Sequence, residues 1–196
     1  MANAAIDARP VVLEGETIRI EPLEVRHADS LAKHFELSLF DYFGSVRPLT
    51  DDKAGLVGYI EAVQRLANVI PFAYVLQSTG DVVGATSYMD IRAEHRGLEI
   101  GMSWIVRPFQ GTKVNPEAKY LLLRHAFEVL GCERVQLKCD ARNKQSQAAI
   151  LKLGAQFEGT LRRHFVLPDG YVRDTMMYSV IPTEWPAVKT NLETRL

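Results

Sequence analysis

Hydrophobic and polar residues follow two different periods along this chain. Seven stretches alternate apolar and polar residues or form short apolar runs between turn residues, and these patterns predict strands. Five stretches repeat apolar residues at a spacing of three and four, which predicts amphipathic helices. The predicted strands are residues 17–22, 71–77, 82–91, 98–106, 134–139, 155–163 and 172–180. The predicted helices are residues 28–36, 116–130 and 143–153, one that Thr50–Asp52 caps and that runs to about residue 67, and a short one from Thr183.

The order of these elements predicts a mixed α/β fold of the α+β kind. Most successive strands are joined by short turns, so the twisted sheet of about seven strands is expected to be mostly antiparallel. One pair is parallel, because helix 116–130 separates strand 98–106 from strand 134–139 and forms a right-handed crossover. We expect three layers, with helices on both faces of the sheet. Ligands of such sheets bind beyond the carboxyl ends of the strands, beside the crossover.

The segment 107–115 lies at that position and resembles an anion-binding turn. Asn115 is predicted to cap the following helix, Pro116 fits the first helical position, and Glu117 favours the positive end of the helix dipole. Unpaired N–H groups at such a helix start attract phosphate. The alternative is an ordinary capped connection that binds nothing. Neither of the common glycine-rich nucleotide fingerprints is present.

Composition and charge exclude several classes of protein. The 196 residues, 47% hydrophobic and 24% charged, predict one soluble domain over 1–196 with its core in 13–185. The net charge of −1, without a long basic run, argues against nucleic-acid binding, and no apolar run is long enough to cross a membrane. The N-terminus lacks a signal-peptide pattern and the two cysteines suggest no disulfide framework, so we expect a cytoplasmic protein. The five histidines lack metal-ligand spacing, and no metal is expected.

Four segments of the chain resemble the GNAT superfamily of N-acetyltransferases, and most closely the branch of ribosomal-protein alanine N-acetyltransferases. They are residues 13–23, 99–104, 109–119 and 140–159, and the last two are specific in combination. The resemblance extends from Leu13 to about Trp185. It implies the three-layer fold of that superfamily and an acyltransferase that uses acetyl-coenzyme A (acetyl-CoA).

The resemblance also implies which residues bind the cofactor. Backbone amides of residues 110–115 would hold the pyrophosphate, and backbone groups of residues 104–106 would pair with the pantetheine arm like an added strand. Lys113 and Asn115 depart from the family pattern, which has small residues there. The predicted cofactor-binding residues are Trp104, Ile105, Val106, Gln110, Gly111, Thr112, Lys113, Val114, Asn115, Asn143 and Ser146.

Two side chains are predicted to be catalytic. Glu99 lies among apolar neighbours on the strand that leads into the cofactor turn, which suits it to accept a proton from the amine, directly or through water. Its alternative role is that of a structural hydrogen-bonded carboxylate. Ser146 lies one turn from the start of helix 143–153, and the resemblance implies that it donates a hydrogen bond to the leaving sulfur. Its alternative role, shared with Asn143, is to cap that helix.

Tyr42, Tyr74 and Tyr171 are candidate walls of an acceptor pocket, although each could be ordinary packing. The resemblance favours a protein N-terminal amine, and the alternative is a small amine such as an amino acid, a polyamine or an antibiotic. A CoA-binding homologue without catalysis is a further alternative. A homodimer is compatible with the sequence, and nothing in it requires one.

Overall fold

The structure is a computed structural model, and it describes residues 4–44 and 46–196. Eight strands form one sheet: β1 (Leu13–Glu14), β2 (Ile18–Pro22), β3 (Ile70–Leu76), β4 (Val82–Arg92), β5 (Gly97–Ile105), β6 (Arg134–Asp140), β7 (Gln156–Val166) and β8 (Val172–Val180). Five α-helices surround it: α1 (Ala28–Ala32), α2 (Lys53–Gln64), α3 (Val114–Arg124), α4 (Lys144–Leu153) and α5 (Trp185–Glu193). A π-helical turn, His125–Val129, continues α3.

The strands lie in the order β1-β2-β3-β4-β5-β6-β8-β7. Their pairing is antiparallel except between β5 and β6, which α3 connects. The predicted mixed α/β class with one parallel crossover pair is therefore confirmed. The sheet has one strand more than expected, because the two-residue β1 is too short to produce an alternating pattern.

Different helices pack on different strands of the sheet. Helices α1 and α2 pack against each other and on β4 and β3, whereas α3 packs on β1 and β2. Helix α5 contacts both α3 and α4. Asp52 caps α2 as the sequence suggests, since its carboxylate accepts a 2.8 Å hydrogen bond from the Gly55 N–H.

Helix α1 is shorter than predicted, ending at Ala32 rather than near residue 36. Phe35 leaves the helical path and packs edge-on against the Trp104 ring, with the centroids 6.0 Å apart. The same indole donates a 3.2 Å hydrogen bond from Nε1 to the Tyr59 hydroxyl on α2. Such aromatic pairs contribute about 0.5–1.5 kcal/mol each beyond their burial. The cluster fixes α2 and the end of α1 against β5, the strand that carries the site.

Candidate active site

The parallel strands β5 and β6 separate after a short ladder. They pair at three positions only, from Gly97 with Arg134 to Glu99 with Gln136. Both strands then continue, β5 to Ile105 and β6 to Asp140, without pairing to each other. The result is a wedge in the sheet whose two inner edges form no ladder with each other among the described residues. Such edges can accept an extended ligand as an added strand.

A β-bulge in β5 accompanies this separation. On β4, Ser87 pairs with Gly101 and Ala85 pairs with Trp104, so β5 has one extra residue there. Met102 at the bulge has a φ of 52°, a left-handed conformation that is uncommon for a residue with a side chain. Bulges bend and twist the strand that contains them. The bulge thereby directs the end of β5 away from β6.

The wedge opens into a cleft of about 340 Å³. Strands β4, β5 and β6, the start of α4, the β7–β8 hairpin and the segment before α2 all contribute to its lining. The described lining residues are Tyr42, Phe43, Gly44, Val46, Leu66, Met89, Glu99, Met102, Ser103, Lys138, Cys139, Asp140, Asn143, Ser146, Phe165, Val166 and Arg173. The two predicted catalytic residues therefore face one common space.

Glu99 lies at the vertex of the wedge, in the last pair of the β5–β6 ladder. Its side chain is only 1% exposed, and Oε2 accepts hydrogen bonds from Lys138 Nζ at 2.9 Å and from Gln136 Nε2 at 3.1 Å. Gln136 and Lys138 lie two residues apart on β6, so their side chains are on the same face of the sheet. Two charged or polar donors thus orient one carboxylate oxygen in the cleft lining.

Asn143 and Ser146 define the start of α4. Asn143 Oδ1 accepts a 2.9 Å hydrogen bond from the Ser146 N–H, which confirms the predicted cap. The Ser146 hydroxyl lies beside the Cys139 thiol. Burial raises the pKa of Cys139, and the hydrogen bond with Ser146 opposes that rise. The thiol is therefore a neutral, buried group that lines the cleft.

The turn before α3 has the free donors that a phosphate group needs. The N–H groups of Gly111, Thr112 and Lys113 have no acceptor within the described part of the chain. Gly111 has a φ of 74°, and no atom lies within 4 Å of the position where a Cβ would stand. Three open amides at a helix N-terminus form a suitable cradle for a pyrophosphate.

The predicted start of this helix is wrong by two residues. Helix α3 begins at Val114 after Lys113, so Asn115 is the second helical residue and not the cap. The Thr112 hydroxyl serves the turn instead, since it donates to the Phe109 carbonyl at 2.7 Å and faces the Val114 N–H at 3.4 Å. Pro116 is tolerated at the third position because N–H groups in the first turn need no helical acceptor.

The predicted pantetheine-binding backbone lies at the end of β5, with some of its groups already bonded. The Val106 N–H donates to the Val83 carbonyl at 2.9 Å, on the β4 side. The Ile105 carbonyl accepts from Gln110 Nε2 at 2.9 Å, and Gln110 Oε1 lies 3.3 Å from Gln145 Nε2. The Trp104 side chain is buried in the aromatic cluster. Gln110 thus connects the end of β5 to α4, and its side chain occupies one of the two lone pairs of the Ile105 carbonyl.

The three tyrosines predicted as acceptor walls lie in different places. Tyr42 lines the cleft. Tyr171 lies outside this lining, and its ring stacks against the Arg142 guanidinium at 3.5 Å. Tyr74 is fully buried in β3, where burial raises its pKa to about 12. The structure corrects its predicted role, because a side chain enclosed by the sheet cannot form a wall of the cleft.

Several cleft residues were missed by the sequence interpretation, chiefly Lys138, Asp140 and Arg173. Asp140 ends β6 and accepts hydrogen bonds from the Arg142 guanidinium, at 2.8 Å for the Nη2 contact. The alternation of polar residues along β6 was a signal that could have identified Lys138 as a neighbour of Glu99. Arg173 gave no comparable signal, since it lies next to the turn of a hairpin.

The described residues contain neither a metal-binding cluster nor a membrane-spanning helix. Within residues 4–44 and 46–196 there is no group of three or more histidine, cysteine, aspartate or glutamate side chains placed to hold a metal ion. Among the same residues, no helix has the length and apolar character needed to span a membrane.

Known proteins resemble this chain in sequence and in structure. A family model described as "Acetyltransferase (GNAT) domain" matches residues 17–156. The Bacillus subtilis protein described as "Putative ribosomal N-acetyltransferase YdaF" is 30% identical over 110 residues, which cover 56% of this chain and 59% of that protein. The chain thus spans about three fifths of the length of this curated relative.

Solved structures agree over nearly the whole chain. A crystal structure described as a "putative acetyltransferase", from T. thermophilus, is 40% identical, with a TM-score of 0.89 over 97% of this chain and 100% of that one. Mycobacterium smegmatis RimJ in complex with CoA-disulfide has a TM-score of 0.75 over 94% of each chain, at 19% identity. At that identity the likeness concerns the fold alone.

Proposed function

The chain belongs to the GNAT acetyltransferase family, whose members use acetyl-CoA, and on that premise we propose that it transfers an acetyl group from acetyl-CoA to a primary amine. The observation that carries the proposal is the wedge between β5 and β6, with Glu99 at its vertex and Ser146 on its rim. A bound acetyl-CoA supplies an acetyl group activated as a thioester. The remaining requirements, which are orientation and proton transfer, fall to the side chains of the cleft.

The turn 110–115 and the end of β5 are the proposed cofactor-binding elements. The free amides of Gly111, Thr112 and Lys113 are suited to the pyrophosphate, because they combine with the positive end of the α3 dipole. The unpaired edge of β5 is suited to the amide groups of pantetheine. Lys113 and Asn115 do not prevent this, since the cradle uses backbone and not side-chain atoms.

Glu99 is the proposed proton acceptor. An amine must lose a proton to become a nucleophile, and a positioned carboxylate typically accelerates such a step by about a hundredfold to ten-thousandfold. Hydrogen bonds from Lys138 and Gln136 hold Oε2, which leaves Oε1 for the acceptor or for a water molecule between them. The ladder pair with Gln136 makes this position rigid.

Ser146 is the proposed proton donor on the opposite side of the cleft. Its backbone N–H is bound by the Asn143 cap, whereas its hydroxyl lies beside the Cys139 thiol in the cleft lining, where it can rotate to donate to a ligand. An O–H group placed there can stabilise the negative charge that develops on a leaving sulfur. Asn143 positions Ser146 through the cap.

We propose a protein N-terminal amine as the acceptor. Support comes from the B. subtilis relative, whose description includes ribosomal N-acetylation. The charge of the cleft also favours this class over polyamines. Its two carboxylates are engaged by cations, Glu99 by Lys138 and Asp140 by Arg142, so no carboxylate of the described lining is free to attract a polycation.

The test is a thiol-release assay with acetyl-CoA and a panel of acceptors. The panel contains lysine-free peptides with alanine or serine first, the same peptides with a blocked N-terminus, free amino acids, polyamines and an aminoglycoside. The proposal expects turnover with the unblocked peptides and none with the blocked ones. Turnover restricted to a small amine would contradict the acceptor assignment. Cofactor binding without turnover across the panel would favour a non-catalytic homologue.

A further inference from the structure

Arg173 is a buried cation in the cleft lining that the proposed acetyl transfer does not use. It lies on β8 opposite Phe165 of β7 and is 8% exposed. Its guanidinium carbon is 5.6 Å from the centre of the Phe165 ring, and Nη1 donates a 3.2 Å hydrogen bond to the Tyr42 carbonyl. The guanidinium is thus held in place by an aromatic ring and a backbone carbonyl.

This guanidinium is incompletely satisfied. Its Nε has no hydrogen-bond partner in the part of the chain that the structure describes, and no carboxylate of the described residues forms an ion pair with it. A buried charge without a counter-ion is costly, and folded proteins rarely retain one. Burial lowers the pKa of Arg173, while the charge of Asp140 opposes that effect. An arginine nevertheless stays protonated at neutral pH.

The neighbouring carboxylates are already committed. Glu99 is paired with Lys138 at 2.9 Å, and Asp140 is paired with Arg142 at 2.8 Å. Arg173 is therefore a cation of the described lining whose buried Nε donor has no hydrogen-bond partner among the described residues. Its side of the cleft is formed by the β7–β8 hairpin and the segment before α2. The turn at 110–115 contributes nothing to this lining, so the phosphates of a cofactor held there are not the natural partner of Arg173.

We propose that Arg173 binds a carboxylate of the acceptor molecule and so selects amines that carry a nearby negative charge. This inference rests on the proposed function, since it assigns the substrate class of the same site. A guanidinium offers donors in a planar fork that suits a carboxylate. The carboxylate has two sources, the acidic side chain of a residue close to a peptide N-terminus or the α-carboxylate of a free amino acid.

The experiment compares matched acceptors on the 196-residue chain. One arm uses two lysine-free peptides that differ only in glutamate or glutamine as their second residue, and the other arm uses alanine and alaninamide. The enzymes are the wild type, Arg173→Gln, Arg173→Lys and the control Arg162→Gln, an exposed arginine of the same hairpin. Melting temperatures verify that each variant is folded.

In one arm, the wild type is expected to have a kcat/KM roughly tenfold to a hundredfold higher for the anionic acceptor than for the neutral one. This ratio corresponds to one hydrogen bond between charged groups, and it should arise mainly from a lower KM. R173Q is expected to lose that preference, so that its kcat/KM becomes the same for the charged and the neutral acceptor. R173K should retain part of the preference, because it keeps the charge, and R162Q should retain all of it. The arm that shows the preference identifies the source of the carboxylate.

Equal kcat/KM for charged and neutral acceptors in the wild type would overturn the inference and leave the proposed function intact. A preference that survives in R173Q, or that R162Q removes equally, would also overturn it. If no acceptor is turned over, the proposed acetyl transfer is rejected, and the inference about Arg173 needs a separate test. Binding of the same peptides is then measured by calorimetry in the presence of CoA. Tighter binding of the glutamate peptide that R173Q abolishes supports the inference, and equal binding of both peptides rejects it.

Discussion

At the scale of single residues, Gly101 provides the space that the Glu99 carboxylate occupies. A Cβ at Gly101 would stand 2.7 Å from Glu99 Oε1 and 2.6 Å from Met89 Sδ. Both atoms belong to side chains with several rotatable bonds, so a Cβ there displaces the side chains rather than the backbone. The position of the carboxylate, rather than the fold, depends on this glycine.

Gly101→Ala is therefore expected to change activity more than stability. Displacing a catalytic group by about 1 Å can cost about a hundredfold in rate, and we expect kcat to fall by at least roughly tenfold. The melting temperature should stay within about 4 °C of wild type. Gly58→Ala is the matched control, because a Cβ at that exposed position in α2 meets nothing within 4 Å. An unchanged kcat in Gly101→Ala would argue against a catalytic role for Glu99.

Ser146→Ala separates proton donation from helix capping. The cap uses the Asn143 side chain and the Ser146 backbone, both of which remain in the variant. We expect kcat to fall by roughly tenfold or more, while the dissociation constant of CoA by calorimetry changes by less than about threefold. Ser78→Ala, in an exposed turn, is the control. Weakened CoA binding with an unchanged kcat would assign Ser146 to cofactor binding alone.

Lys119 on α3 should make stability depend on alkaline pH. It is 8% exposed, donates a 2.8 Å hydrogen bond to Ser103 Oγ, and burial lowers its pKa from 10.5 to about 8. Because the folded pKa lies below the unfolded one, the unfolded chain binds more protons between these values. The contribution of Lys119 is therefore least favourable below about pH 8 and improves as the pH rises to about 10.5.

Urea unfolding of wild type and Lys119→Met checks this sign. The free energy of unfolding of the wild type, relative to the variant, should rise by roughly 2 kcal/mol between about pH 7 and about pH 9.5. Using the difference removes the contribution of other groups that titrate in both proteins. A difference that stays constant or falls over this interval contradicts the account.

The sequence identified individual polar residues better than their partners. Glu99 was predicted from its position on a strand, Asn143 and Ser146 were predicted from a helix start together with the family resemblance, and all three line the cleft. Lys138 was not, because its contact with Glu99 depends on the register between two strands that are far apart in sequence. Arg173 depends on a further pairing, that of the β7–β8 hairpin.

At the scale of elements, Glu117 fixes where α3 begins. The sequence suggested that it serves the helix dipole. Its carboxylate instead accepts hydrogen bonds from the N–H groups of Glu16 at 2.6 Å, Thr17 at 2.9 Å and Ile18 at 2.8 Å. The side chain is buried, and it ties the first turn of α3 to the turn between β1 and β2. Local helix-start rules cannot foresee an anchor that lies about a hundred residues away.

Glu117→Ala should therefore be among the most destabilising substitutions near the site. It leaves three backbone donors without their acceptor, of which the buried Ile18 N–H matters most, since an unsatisfied buried group costs about 1–3 kcal/mol. We expect a loss of roughly 3 kcal/mol in the free energy of unfolding, measured in urea. Glu61→Ala, which removes a half-exposed i,i+4 pair with Arg65 on α2, should cost less than about 0.5 kcal/mol. Equal effects of the two substitutions would refute the anchoring role.

At the scale of the whole molecule, the site exists because the parallel strands β5 and β6 stop pairing before either strand ends. The parallel crossover and the family resemblance were predicted from the sequence, and both are confirmed. The wedge was not predictable from any single strand. The alternation of apolar and polar residues in β5 continues to Ile105 and gives no sign that pairing with β6 ends at Glu99. The bulge at Met102 and the three-residue ladder appear only in three dimensions.

The central claim is that this wedge forms an acetyl-transfer site with Glu99 as its proton acceptor. The most direct test measures acetyl-CoA-dependent thiol release with an unblocked peptide for wild type and Glu99→Gln, together with CoA affinity in the same samples. We predict turnover by the wild type, a loss of about a hundredfold to ten-thousandfold in kcat for Glu99→Gln, and an unchanged CoA affinity. Equal turnover by the two proteins, or CoA binding by the wild type without acetylation of any amine, would contradict the claim.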